Sequence, residues 1–439
     1  MNLHPHVLVS ADGTVRQAAE LGRLDVPENR ADPASRRIEV AFARLRGGDG
    51  PPMIFLEGGP GESGTRIWER APERYEPYRE FGDVVLLDQR GLGLSRPRLT
   101  SPHRLDLPLD RLVGREEHLA AVLDLAERTA RFWRERGVEP AAYTTAESAD
   151  DVAEVMTALG YDRFRTFGGS YGSHLSLAVL RRHGHRVERA VMFGVEGPGD
   201  TYKLPSDTDR HLAGVAALAA ARGVTPDLIG LMRRVFARLP VSFDGVVIGE
   251  FDVKMITAAN LGSRRFIRRL PELYLAAERG DHTFWAEQTR ALRTAESANL
   301  MATAMDCASG ASAERWERIR KEAPDSLLGD AMNLPFPLVC PAIGAGDAGE
   351  DFRAPLRSEV PALLLCGSLD GRTPPANALA VLDGLPHGHF ILVRHATHEF
   401  LPALPGVREA VAEFLTGGRP TLREVTIPFE FGDEPSANL

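Results

Sequence analysis

The chain is poor in cysteine, with three in 439 residues: Cys307, Cys340 and Cys366. Three cannot build a disulfide framework, and none stands in a CxxC or CxxH spacing that would mark a structural metal site. Buried thiols in a reducing compartment are the expectation. Long apolar runs are missing too. No segment approaches the roughly 20 uninterrupted apolar residues of a membrane-spanning helix. The N-terminus, MNLHPHVLVSADGTV, has neither the basic start nor the apolar centre of a secretory signal. A cytoplasmic protein without membrane contact is therefore expected. Positive charge is in deficit, 52 Lys and Arg against 61 Asp and Glu, for a net −9. Nucleic-acid surfaces show clustered basic residues, so no nucleic-acid partner is expected. What is present, 43% hydrophobic and 26% charged residues, is the composition of a globular chain long enough to bury a large core.

Strand-like and helix-like stretches alternate through the first 200 residues. Arg37 to Arg44 (RIEVAFAR) has period two and reads as a half-exposed strand. PMIFL (52–56) and DVVLL (83–87) are short apolar runs ending in Gly-rich turns, as buried parallel strands do. Ala149 to Leu159 is helical, with Ser148 as N-cap and Gly160 as stop. A strand at Phe164 to Phe167, a sharp turn at Gly168 to Gly172 and a helix through Arg182 follow, and AVMF (190–193) makes the next strand. This order predicts a mostly parallel sheet flanked by helices. From about residue 201 to 355 the apolar spacing turns helical, as in Leu212 to Ala221 and Phe266 to Ala277. Strand patterning returns at PALLLC (361–366) and His389 to Val393, and Val407 to Leu415 reads as a closing helix. The expected organisation is an α/β core, residues 1–200 and 356–439, interrupted by a mainly helical cap, 201–355. A last strand at Glu424 to Phe429 precedes a tail expected to fray.

Within this frame, Gly168-Gly169-Ser170-Tyr171-Gly172 stands between an apolar strand and an apolar helix, the context of a nucleophile elbow. A serine hydroxyl needs a base, and the base an orienting acid. Asp370 follows PALLLC in GSLDGRTP, at the strand end that faces Ser170. The base is His398 or its neighbour His395, both between a strand and the final helix, and the Phe-Leu pair after His398 favours the former. Two N–H donors must hold the oxyanion. One is that of Tyr171; the other comes from the Gly58-Gly59 turn in EGGPGESG, directly after PMIFL.

Taken together, GGPGESG, DQRGLGLS (88–95), GGSYG, GSLDGRTP and ATHEF resemble the α/β-hydrolase serine peptidases of the proline iminopeptidase and tripeptidyl aminopeptidase group. The resemblance runs from VPENR (26–30) to the closing helix. It implies an α/β-hydrolase fold with a helical cap and removal of an N-terminal proline or short peptide, with no cofactor and no metal. Glu57 departs from it, since proline iminopeptidases have His at that position. Cys307 and Cys340 resemble cap cysteines of secreted members, which could pair, but reduced thiols remain the expectation here. Asp88 and Arg90 are expected to hold the loop beneath the oxyanion site.

An exopeptidase of this kind must recognise a free amine, and a buried cation requires a carboxylate. Glu196, after AVMF, is the leading candidate, and it also competes with Asp370 for the role of acid. Glu57, Glu62 and Asp306 are weaker anchors. Which cap aromatic lines the pocket (Phe284, Trp285 or Tyr274) stays open. So do two other functions: a carboxylesterase or amidase acting on small non-peptide acyl compounds, and a non-catalytic ligand-binding protein on a hydrolase fold.

Overall fold

The computed structural model describes residues 2–296 and 299–432. Among them, ten strands form one sheet: β1 (Asn2–Val9), β2 (Arg16–Pro27), β3 (Arg37–Leu45), β4 (Met53–Leu56), β5 (Val84–Asp88), β6 (Phe164–Gly169), β7 (Val187–Phe193), β8 (Ala362–Gly367), β9 (Gly388–Arg394) and β10 (Glu424–Thr426). Their spatial order is β1-β2-β3-β5-β4-β6-β7-β8-β9-β10. The first three strands and β5 pair antiparallel, and every pair from β5 onward is parallel. The apolar runs β4, β5 and β8 are buried throughout, as is β6, where Arg165 and Thr166 are buried among apolar neighbours. A run without polar alternation needs cover on both faces, which helices packed above and below the sheet supply.

The register positions the site. Leu56 of β4 lies opposite Gly168 of β6, so Gly58 and Ser170, two residues on, leave the sheet side by side. Phe193 of β7 lies opposite Leu365 of β8, and Gly367 opposite Val393 of β9. The four loops that follow β4, β6, β8 and β9 thus emerge at one carboxyl edge, where open α/β sheets bind ligands.

Two local expectations change. The strand at 37–45 alternates only through Glu39 and is buried from Val40 onward. It is an inner strand, with Phe42 in the core on one face and Ala43 and Leu45 in the core on the other. The helix expected from Ala149 begins at Thr145. Its N-cap is Thr144, whose hydroxyl accepts the Glu147 N–H at 3.2 Å, while Ser148 is a buried residue inside the helix. The final strand stops at Thr426, three residues short of Phe429, and the end of the expected frayed tail, 433–439, lies outside the described residues.

Between β7 and β8 the chain is mainly helical, from the helix Pro205–Ala221 to the short helix Glu350–Arg353, with one hairpin, Val241–Phe243 and Val246–Ile248. Its helices enclose an apolar core of their own that includes Leu231, Val253, Ile267, Tyr274 and Trp285. No helix among the described residues is long and apolar enough to cross a membrane.

The expectation of three reduced thiols is overturned. Cys307, on the helix Leu300–Ser309, and Cys340, on Phe336–Ile343, form a disulfide. Thirty-three residues separate them, and only the packing of the two helices brings them together. Cys366 is free and buried in β8, and burial pushes its thiol up to about 12. Closing a loop of that length should stabilise the fold by about 2–4 kcal/mol. Urea unfolding of Cys307→Ser/Cys340→Ser is expected to show that loss, and dithiothreitol should produce a similar loss in the unmodified chain. Equal midpoints with and without the bond would show that it adds nothing.

Candidate active site

Strand β6 ends at Gly169 and the helix Tyr171–His183 begins two residues later. Ser170 makes the turn with φ 53° and ψ −127°, a left-handed backbone that costs a non-glycine residue on the order of 1–3 kcal/mol. The flanking glycines follow from packing. A methyl group on Gly172 would sit 1.8 Å from the Leu56 carbonyl oxygen, and one on Gly168 would sit 2.2 Å from that of Gly172. The Ser170 N–H donates to the Phe193 carbonyl at 3.0 Å. Ser173 Oγ donates to the Ser170 carbonyl at 2.6 Å and accepts the Glu196 N–H at 2.9 Å, tying the turn to the loop after β7.

Tyr171 is the first residue of its helix, so its N–H has no acceptor within the helix. Its ring is buried, and its hydroxyl meets Thr145 Oγ1 and Met305 Sδ, each at 3.0 Å. Across the turn lie Gly58 and Gly59. A methyl on Gly58 would stand 3.2 Å from Ser170 Cβ, so glycine there leaves room beside the hydroxyl. Asp88 accepts from Ser63 Oγ at 2.6 Å, Thr65 Oγ1 at 2.7 Å and the Leu94 N–H at 2.8 Å. It fixes the end of the Gly58-Gly59 loop, as expected of it. Arg90 does something else: it is fully buried, binds Asp151 and donates to the Glu28 and Ala142 carbonyls. It joins the start of the sheet to the helix Thr145–Ala158, away from the loop it was expected to hold.

Asp370 and His398 meet directly, with Nδ1 2.7 Å from Oδ2. Asp370 is buried and also accepts the N–H groups of Arg372 and Thr373 and the Thr373 hydroxyl, each at 2.8 Å. Burial pushes its carboxyl up, but the His398 ring and these donors outweigh that and hold it below the usual range. Thr373 Oγ1 lies 3.1 Å from His398 Nδ1 as well. His395 turns elsewhere, its Nδ1 3.2 Å from the Ile427 carbonyl.

His398 and Ser170 border one cavity of about 670 Å³, together with Gly58, Gly59, Glu57 and Glu62. The helical segment between β7 and β8 closes one side through Ala259, Gly262 and Ser263, and the Gly262 carbonyl accepts the His398 N–H at 3.1 Å. Phe284, Trp285 and Tyr274 are not part of this wall; Trp285 and Tyr274 pack in the core of the helical segment and Phe284 against it.

Glu196, the leading amine anchor, is corrected. It is buried, and Lys203 Nζ donates to its Oε2 at 2.8 Å. Burial pushes its carboxyl up, but Lys203 and His174 hold it below the usual value. A carboxylate already neutralised by an internal ammonium has little left for a substrate amine, and Glu196 does not border the cavity. Nor does it touch His398, whose carboxylate partner is Asp370. Asp306 is likewise absent from the cavity wall, and burial with Glu196 nearby raises its carboxyl. Glu57 does border the cavity. Tyr75 donates to it at 2.6 Å, and burial pushes its carboxyl up to about 7. Glu62 Oε2 lies 3.5 Å from where a methyl on Gly58 would be, the same point that is 3.2 Å from Ser170 Cβ. Thr373 and Arg372 join the site without a signal of their own in the sequence. Both stand in the GSLDGRTP segment, which was the only signal for them.

The family model of the alpha/beta hydrolase fold matches residues 51–402. A tripeptidyl aminopeptidase of Streptomyces lividans is 24% identical over 474 aligned positions, covering 95% of this chain and 85% of that one. A proline iminopeptidase of Neisseria meningitidis is 29% identical over 147, covering 34% of this chain and 33% of its own. Among solved structures, a thermophilic esterase from Thermogutta terrifontis superposes with a TM-score of 0.42 at 17% identity, covering 90% of this chain and 98% of that one.

Proposed function

The chain belongs to the alpha/beta hydrolase fold family, and on that premise we propose that it is a serine aminopeptidase releasing an N-terminal residue or short peptide through an acyl-enzyme. One observation carries the reading: the His398–Asp370 contact of 2.7 Å, with His398 and Ser170 bordering the same cavity. Ser170 Oγ attacks the scissile carbonyl as His398 Nε2 takes its proton. Asp370 keeps the proton of His398 on Nδ1 and stabilises the imidazolium. The N–H groups of Tyr171 and Gly59 receive the oxyanion. His398 then protonates the leaving amine, and water, activated by the same imidazole, releases the acyl group.

The names of the relatives, tripeptidyl aminopeptidase and proline iminopeptidase, support peptide substrates. For the free amine, Glu62 replaces Glu196 as the anchor, because it borders the cavity beside Ser170; Glu57 borders the cavity too, but Tyr75 and burial leave it less of a charge. The helical segment over the cavity favours short or flexible peptides. The disulfide favours an oxidising compartment over the cytoplasm. The test compares aminoacyl- and tripeptidyl-arylamides with their N-acetylated forms. Acetylation removes the cation and should lower kcat/KM by at least about tenfold, the equivalent of about 1.4 kcal/mol. Equal rates would remove amine recognition and leave an esterase or amidase.

A further inference from the structure

The cavity wall holds three arginines, Arg70, Arg74 and Arg372, along with Glu57, Glu62 and Glu399. The signs match in number but not in availability. Glu399 is engaged by Arg264 at 3.3 Å and by the Thr397 N–H at 3.0 Å. Glu57 carries the Tyr75 hydroxyl, and burial shifts it toward its neutral form. Among the described residues, none of the three arginines forms a close ion pair through its side chain; Arg74 acts on Glu57, and Arg372 on Glu196 and Asp306, only from a distance.

Two of them share the His398 end of the wall, Arg372 beside Gly262 and Arg74 over Phe400. Arg372 is held through its backbone, its N–H donating to Asp370 Oδ1 at 2.8 Å. Its stem packs against Gly262: a methyl there would lie 2.7 Å from Arg372 Cγ and 3.0 Å from His398 Cβ. Arg74 approaches from the opposite chain segment, its guanidinium 5.1 Å from the centre of the Phe400 ring, two residues beyond His398. Both are half-buried. Half-buried guanidiniums that make no close ion pair are matched to planar oxyanions. His398 hands its proton to the departing amine, so the leaving group departs into the cavity whose wall both arginines border.

We infer that Arg372 and Arg74 receive a carboxylate carried by the leaving part of the substrate, so that peptides with a free C-terminus or an acidic side chain next to the scissile bond are preferred. This rests on the aminopeptidase reading and adds to it. An amine held at Glu62 and a carboxylate held beyond His398 would select short zwitterionic peptides.

The experiment uses X-Ala, X-Ala-amide and X-Glu-amide, where X is the acyl group released fastest as its arylamide. The free acid is expected to exceed the amide at least tenfold in kcat/KM, mostly through KM. Whether X-Ala or X-Glu-amide is favoured more strongly tells a terminal carboxylate from a side-chain one. Arg74→Gln/Arg372→Gln should bring the acid-to-amide ratio near one, and Arg74→Lys/Arg372→Lys should retain it. A ratio near one in the unmodified enzyme, or one unchanged in the Gln pair, overturns the inference and leaves the aminopeptidase reading intact. A second measurement covers failure of that reading: inhibition of p-nitrophenyl butyrate hydrolysis by Ala-Ala and by its amide. If no peptide is cleaved but the free acid inhibits at least tenfold better, the cationic site stands and the aminopeptidase reading fails. Equal inhibition with no peptide cleavage overturns both.

Discussion

Ser170→Ala is expected to lower kcat by about 10⁵–10⁶-fold, leaving only the residual acceleration that substrate binding and the oxyanion donors supply. The size follows from what the hydroxyl is proposed to do. It forms the covalent bond, and no neighbouring side chain can do that in its place; Ser173, the nearest other hydroxyl in the turn, is committed to the Ser170 carbonyl and the Glu196 N–H. Alanine has the same Cβ and meets the same strained backbone at φ 53°, so the variant should fold with an unfolding midpoint close to that of the unmodified chain. Steady-state kinetics on the best arylamide, beside a urea titration, separates loss of chemistry from loss of fold. A folded variant with activity within tenfold of the unmodified enzyme would remove Ser170 from the mechanism.

Asp370→Asn should cost about 10⁴-fold in kcat at neutral pH with little change in KM. The carboxylate accepts the Nδ1 proton of His398 at 2.7 Å and so leaves Nε2 bare to act as the base. An amide of the same shape can donate to Nδ1, which puts the proton on Nε2, where it blocks the base. Three donors besides His398 already converge on the carboxylate from Arg372 and Thr373, so the asparagine also meets donors with its NH₂ group and should lower stability. The pH dependence of that stability has a definite sign. The folded carboxyl lies below its usual value, so in the unmodified chain Asp370 adds stability above the unfolded value of about 3.9. That contribution disappears as pH falls through the folded value, and the Asn variant should lack it. Retention of full activity in Asp370→Asn would shift the role of the acid to another carboxylate, and Glu196, bound to Lys203, is too far engaged to take it.

The parts legible in the sequence are those whose signal is local. GGSYG sits between a buried strand and a helix, and the glycines are dictated by contacts within a few residues or with the adjoining strand end. GSLDGRTP and ATHEF each follow an apolar run, and Val407–Leu415 matches its pattern to the residue. What was not legible depends on partners distant in sequence. The outer strands β1 and β2 went unread; β2 carries Gly22 where the Phe42 ring lies across the strand, a contact no local pattern reports. Glu196 looked like a free carboxylate because Lys203, seven residues on, was not known to fold back onto it. For Cys307 and Cys340 the resemblance offered a pairing, but reduced thiols were the expectation, because only helix packing brings the two together. Arg74 was invisible as a wall residue, since nothing in the sequence says that it stacks over Phe400.

The most direct test of Ser170 as the nucleophile is fluorophosphonate labelling of the folded protein, read by intact mass and then by peptide mapping. The account predicts a single adduct on Ser170, suppressed by a competing short peptide and absent from Ser170→Ala. No adduct on the folded chain, or one that maps to another residue and persists in Ser170→Ala, would contradict it.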